Sequence, residues 1–257
     1  QVRADVYRDR DWTIALWGNM AHNKNRILKI SESQKAYNER VMEFYREELK
    51  NQDLYKNALA NAEYAIPIPQ YSEGQSLTSI WAVRSLGIDP TTGEELFLNR
   101  DGSITDKWDP AQEVVVGNTE PKLNGSIGLN ATYKNWSLFA AFQYEFGGQE
   151  YNQTLVNRVE NADIKGGNVD LRVLTDRWQK PGDVSKYKAI SLTEKTPMSS
   201  RFVADENTLS GESISLGYET QARWLHHIGA SSMTIRGYMN DIFRISTVKN
   251  ERGLDYP

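Results

Sequence analysis

Apolar and polar residues alternate with period two in several stretches of the chain. Trp12, Ile14, Leu16 and Met20 share one parity and Thr13, Ala15 and Asn19 the other, with Trp17 out of pattern. Ile127, Leu129, Ala131 and Tyr133 oppose Ser126, Gly128, Asn130 and Thr132. The clearest run sets Trp136, Leu138, Ala140, Phe142, Tyr144 and Phe146 against Ser137, Phe139, Ala141, Gln143 and Glu145. Weaker runs follow at Ile214, Leu216 and Tyr218, and at Met233, Ile235, Gly237 and Met239. Successive side chains of a strand point to opposite faces, so each run predicts a strand with one apolar face. They are about nine to eleven residues long, the length of a tilted strand crossing a bilayer; strands of soluble sandwiches average about 5–6. A further alternation, Val2 to Val6, opens the chain, and no closing element precedes Tyr256 and Pro257, so the sequence reads as a piece of a longer protein.

Only Lys134 and Asn135 separate two of these runs, which predicts a tight hairpin turn. The connection on the other side is long. From Gly147 to Gly211 no strand of comparable quality occurs, and Gly, Asn, Asp and Lys dominate, far beyond the usual connection in a compact soluble domain. Short turns at one end of a hairpin array and long loops at the other is the asymmetry of outer-membrane barrels. One segment has a helical period instead: Tyr37, Val41, Phe44, Tyr45 and Leu49, with charged residues between them. This predicts an amphipathic helix of roughly four turns, followed by a second around residues 54–62. Both end before Ile66-Pro67-Ile68-Pro69, where proline biases the chain to extended structure. Leu77–Leu86 predicts a strand that Glu95–Leu98 rejoins through the turn at Asp89–Gly93.

Composition sharpens this picture. The chain of 257 residues carries 13 Tyr, 7 Trp and 7 Phe, yet its mean hydropathy is -0.63. No stretch approaches the ~20 apolar residues of a membrane helix. Membrane strands escape that test, because their apolar groups occupy alternate positions only. Trp136, Leu138, Phe142, Tyr144 and Phe146 form the candidate lipid-facing band, with Trp136 and Phe146 as interfacial anchors at its ends. Alternation alone would also suit the core face of a soluble sandwich, such as an all-β carbohydrate-binding module or glycoside hydrolase domain. Strand length and the long loops favour lipid.

Candidate chemistry is sparse. With 30 Lys+Arg against 34 Asp+Glu and a net charge of -4, there is no basic footprint for nucleic acid. The absence of cysteine excludes disulfides, iron–sulfur clusters and thiolate zinc sites. His226-His227 would point to opposite sides of an extended chain and chelate one metal poorly. The stretch Asn99-Arg100-Asp101-Gly102 is a poor calcium loop, since Phe97 and Trp108 stand where oxygen donors are required. No nucleophile elbow, zinc-protease helix or phosphate loop occurs. The expectation is a protein that is not an enzyme, without catalytic residues, metal or cofactor. Trp81, Trp108 and Trp178 lie in long loops, where they could stack on a sugar or pack the loops on themselves.

Several segments, taken in order, resemble one family. Leu86-Gly87-Ile88-Asp89-Pro90-Thr91-Thr92-Gly93-Glu94, followed by Arg100-Asp101-Gly102, resembles the GIDPxTGE…dkdG segment of SusC/RagA-type TonB-dependent outer-membrane transporters. Pro121-Lys122-Leu123-Asn124-Gly125, Tyr133 to Leu138 and Phe146-Gly147-Gly148 resemble that family's hairpin. Thr175-Asp176-Arg177-Trp178 is similar to its TDRW element, and Arg201-Phe202-Val203 with Ile214 to Tyr218 to its RFVxD…nisLGY segment. Asn240-Asp241-Ile242-Phe243 departs from the usual NLF by its Asp.

The resemblance implies an all-β, antiparallel transmembrane β-barrel of 22 strands, of which about six lie here. Residues 1–257 would be part of its C-terminal region, with residues 22–76 as a variable helix-containing loop and residues 147–211 as a long extracellular loop. It further implies import of a glycan or oligopeptide, a SusD-like surface lipoprotein as lid, and TonB acting through an N-terminal region absent from this sequence. Outer-membrane lipid would surround the barrel.

Overall fold

The computed structural model describes residues 1–48, 60, 62–191 and 193–248. They form two units: those within residues 1–23, 121–148 and 206–248, and those within residues 24–120 and 149–205.

The first unit holds a single six-stranded sheet in the order β1-β2-β8-β9-β10-β11. Its strands are β1 (Val2–Arg8), β2 (Trp12–Ala21), β8 (Leu123–Tyr133), β9 (Trp136–Tyr151), β10 (Val203–Thr220) and β11 (Met233–Ser246). This bears out the partial antiparallel sheet of about six strands. The β2–β8 ladder runs unbroken from Trp12↔Tyr133 to Ala21↔Asn124, and the β8–β9 ladder from Tyr133↔Trp136 to Leu123↔Phe146. Lys134 turns the hairpin with φ +49. Residues 9–11 join β1 to β2, and the 3-10 helix Arg223–Ile228 lies between β10 and β11. These connections fall at one end of the sheet, while the long ones leave from the other. β9 and β10 reach into both ends of the stretch that showed no strand pattern, β9 to Tyr151 and β10 from Val203. The β10–β11 ladder shifts register between Gly211 and Ser213, opposite Asp241, whose φ is +51. Aspartate tolerates the left-handed region better than most side chains do, which suits Asp241 to this irregularity.

The second unit contains α1 (Glu32–Glu48), a two-stranded sheet of β3 (Ser79–Ala82) with β7 (Val114–Asn118), and a three-stranded sheet. The latter joins β4 (Arg84–Ile88), β5 (Glu95–Leu98) and β6 (Ile104–Thr105). The strand expected over Leu77–Leu86 is thus split at Val83, which is fully buried and bridges to Ser199. Helix α1 forms where its spacing predicts, but Tyr37 and Phe44 are 60% and 56% exposed whereas Tyr45 is buried. At about 100° per residue, the buried stripe is centred near Val41 and Tyr45, which leaves Tyr37 and Phe44 at its margin. The second helix expected over 54–62 falls outside the described residues. Two apolar clusters hold the unit: Val83, Phe97, Trp108 and Met198, and Val156, Val159, Val173, Tyr187 and Phe202 with Ala65. The long connections therefore fold into a body with a core of its own.

Candidate functional site

Residues paired across an antiparallel ladder project to the same face, so the registers trace that face across the sheet. Leu138 follows to Ala131 and Ile14, Phe142 to Ile127, Gly18 and Val2, and Ala140 to Leu129, Leu16 and Ala4. On the other side Tyr218 pairs with Ile235, Leu216 with Gly237 and Ile214 with Met239. Every one of these is apolar or glycine, save a single tyrosine hydroxyl. Their counterparts on the opposite face are Thr13, Asn19, Ser126, Asn130, Thr132, Gln143 and Glu145, with Ser215, Glu219 and Arg236 on β10 and β11.

The apolar face is open. Leu16 is 48% exposed, Ile127 48%, Leu216 50% and Ile235 59%, values that a sandwich core would not permit. Trp136, Leu138, Phe142, Tyr144 and Phe146 all lie on it, along the unbroken β9 ladder. At the tight-turn end it closes with an aromatic row: Trp12 meets Tyr133 at 4.4 Å between ring centroids, Tyr133 pairs with Trp136, and Trp136 meets Tyr218 at 4.7 Å. At the other end Tyr144 stacks on Phe146 at 5.6 Å. From Trp136 to Phe146 the strand rises roughly 33 Å; tilted by about 40° it spans about 25 Å, the height of an outer-membrane apolar band.

Glycines let large rings lie flat on the sheet. A Cβ at Gly125 would come within 2.6 Å of the Tyr144 hydroxyl, which donates to the Asn19 carbonyl at 2.9 Å. Phe243 lies over Gly211 and meets Phe142 at 6.1 Å. On the polar face Trp17, the residue out of pattern, lies over Gly128 and stacks on Phe139 at 6.3 Å. Gly128 opposite Trp17 was the sequence signal for this placement.

The second unit buries charge. The Glu160 side chain is wholly enclosed and Glu95 nearly so. Arg201 Nη2 donates to Glu95 Oε2 and Glu160 Oε1, both at 2.9 Å, and its Nη1 donates to the Lys186 carbonyl at 2.7 Å. The Thr196 hydroxyl adds 2.8 Å to Glu160 Oε1. Arg177 donates to the carbonyls of Val159, Glu160 and Lys188. Burial pushes the Glu160 carboxyl up, but Arg201, Arg177 and Thr196 outweigh it and hold the group below its ordinary value. Burial likewise opposes the Arg201 charge, and Glu160 and Glu95 more than restore it. Both arginines belong to the family-like TDRW and RFV elements, whose part in a buried ion network the linear motifs did not reveal.

The loop tryptophans pack the loops. Trp108 is 1% exposed and donates Nε1–H to the Met198 carbonyl at 3.0 Å, and Trp81 is buried. Trp178 lies on Gly93 (φ +77), where a Cβ would stand 2.4 Å from its ring, and donates to the Pro90 carbonyl at 2.9 Å. His226 and His227 sit in the 3-10 helix between β10 and β11, and no group of metal-ligating side chains occurs among the described residues.

A single antiparallel sheet with one open apolar face, an aromatic border and short turns at one end has the form of a section of outer-membrane β-barrel wall. No family model matches the chain. TonB-dependent receptor P3 of Formosa agariphila is 22% identical over 233 residues, covering 91% of this chain and 22% of the receptor. Among solved structures, the RagAB peptide transporter aligns over 95% of this chain and 25% of its own, with a TM-score of 0.68 at 16% identity. The RagAB peptide importer in its closed-closed state aligns over the same shares with a TM-score of 0.67 at 15% identity. The chain thus spans about a quarter of the length of these proteins. They bear out the barrel fold that the resemblance to SusC/RagA-type TonB-dependent transporters implies. A receptor and a transporter also accord with the expectation that it is not an enzyme.

Proposed function

We propose that the chain supplies barrel wall and substrate-facing loops to a transporter that imports a large nutrient, a glycan or an oligopeptide, coupled to TonB. Residues 1–257 form part of the C-terminal region of its barrel, with residues 22–76 and 147–211 in its extracellular loops. Trp136, Leu138, Phe142, Tyr144 and Phe146 face lipid. A SusD-like lipoprotein lids the outer side, and TonB acts from the periplasm on the N-terminal region. The observation that carries this reading is the apolar face continuous across six strands and exposed on all of them.

Two experiments test it. A lipophilic photoprobe should label cysteines introduced at Leu138 and Phe142 of the intact protein and spare one at Gln143. Protection of the first two by protein would remove the membrane assignment. A deletion strain tested on defined glycans and peptides should lose uptake of one class; unchanged growth on every substrate would remove the import assignment.

A further inference from the structure

Between α1 and the extended residues 68–70 lies a cavity of about 190 Å³. Tyr37, Phe44 and Tyr45 line it with aromatic surface, and Asn38, Gln70 and Glu113 are its polar wall groups. Asn38 is already engaged, donating to the Tyr71 carbonyl at 3.0 Å and accepting from Gln34 at 3.0 Å. Glu113 is 1% exposed, with Gln70 Nε2 donating to its carboxyl. The cavity thus combines an aromatic rim, an apolar wall and one buried carboxyl.

We propose that this cavity is a subsite for one basic side chain of a peptide, its guanidinium or ammonium meeting the Glu113 carboxyl and its apolar stem lying along Tyr37 and Phe44. The inference rests on the import reading and narrows its substrate class. Three physical points carry it. An apolar cavity of about 150 Å³ holds a single benzene, so this one has room for one side chain and not for a branched glycan. A hexose would bring several hydroxyls to a wall whose polar groups among the described residues, Asn38, Gln70 and Glu113, already hold hydrogen bonds, leaving most of the hydroxyls unbonded. A cation on an apolar stem suits the same wall, because aromatic faces attract cations and the ligand's charge adds to that of Arg100 in opposing the burial of the Glu113 carboxyl. Guanidinium fits best, being weakly hydrated and planar.

Glu113 supplies a distinctive readout. Burial raises its carboxyl to about 8, with Arg100 acting against the rise and Asp109 adding to it. Arg100 itself donates to the Glu113 backbone carbonyl, and α1 faces the cavity without a charged side chain. At pH 7 the empty site is therefore largely protonated, and a bound cation displaces that proton.

The test is calorimetry on the intact protein in detergent at pH 7, in two buffers of different ionisation enthalpy. The probes are blocked Gly-Arg-Gly and its isosteric citrulline analogue. The arginine peptide should bind at least fivefold more tightly and release about one proton. Glu113→Gln should abolish both the preference and the release, and Tyr37→Ala, at an exposed position, should weaken binding several-fold. A smaller ratio on the unaltered protein, which needs no variant to fold, or a preference that survives Glu113→Gln, overturns the proposal. If peptides are imported without this selectivity, the inference fails alone; if no substrate is imported, the import reading fails whatever the cavity binds.

Discussion

Gly93 and Trp178 show how two short motifs far apart in the chain depend on each other. The turn holds Gly93 at φ +77, and the indole occupies the space a Cβ would take. Gly93→Ala should therefore cost about 1–3 kcal/mol from backbone strain, added to displacement of the ring. Its signature is faster limited proteolysis within residues 149–205, and Trp178→Ala should relieve the ring part of the effect and leave the strain. Arg201 answers to a different rule. Its guanidinium joins Glu95 and Glu160, and Arg201→Met would strand two buried carboxylates. Removing one partner of a buried pair costs about 3–5 kcal/mol. Arg201→Lys should recover only part of this, because a point charge cannot fork between two carboxylates. Equal proteolysis of the wild type and Arg201→Met would refute the network's structural role.

At the level of the strand, face matters more than residue type. Phe142 and Gln143 are neighbours on β9, yet Phe142 continues the apolar row through Ile127 and Gly18, and Gln143 pairs with Ser126 on the polar face. Arginine on the lipid face near the middle of a bilayer costs about 2–4 kcal/mol. Phe142→Arg should lower the stability of the intact barrel in vesicles by that amount, and Gln143→Arg should change it little. The same asymmetry decides which elements are legible in sequence. β2, β8 and the first part of β9 are visible because lipid demands apolar groups at every second position. Within Val203–Glu212 of β10 no such demand shapes the residues, and Asp205, Glu206, Asn207 and Ser210 hide a strand built on backbone hydrogen bonds. The amphipathic stripe of α1 was readable, but its centre was offset because a tyrosine or phenylalanine scores as core wherever it stands. The ion network escaped altogether, since its partners at positions 95, 160, 177 and 201 meet only through the fold.

Across the whole molecule, the two units are stabilised by different physics and should respond differently to pH. The wall rests on backbone ladders, unbroken at β2–β8 and β8–β9, and on an apolar face, neither of which titrates. The loop unit encloses Glu160, held below the ordinary 4.5 by Arg201, Arg177 and Thr196 against the cost of burial. A depressed carboxylate contributes stability above its unfolded value and loses it as pH falls through the folded one, so this contribution disappears in acid below 4.5. Glu113 has the opposite sign. Its carboxyl is raised from 4.5 to about 8, so the folded state favours the neutral form, and stability declines as pH rises from 4.5 through 8. The loop unit should therefore be most stable between these limits. Hydrogen exchange, corrected for intrinsic rates, should show protection over residues 156–160 and 200–202 falling from pH 6 to pH 3. Protection over residues 114–118 should fall between pH 6 and pH 9, and Glu113→Gln should flatten that alkaline limb alone. The β2, β8 and β9 amides within residues 12–21 and 123–146 should hold throughout. Loss of protection in wall and loops together at either extreme would mean that one cooperative transition governs both, and that buried charge does not set the stability of the loop unit.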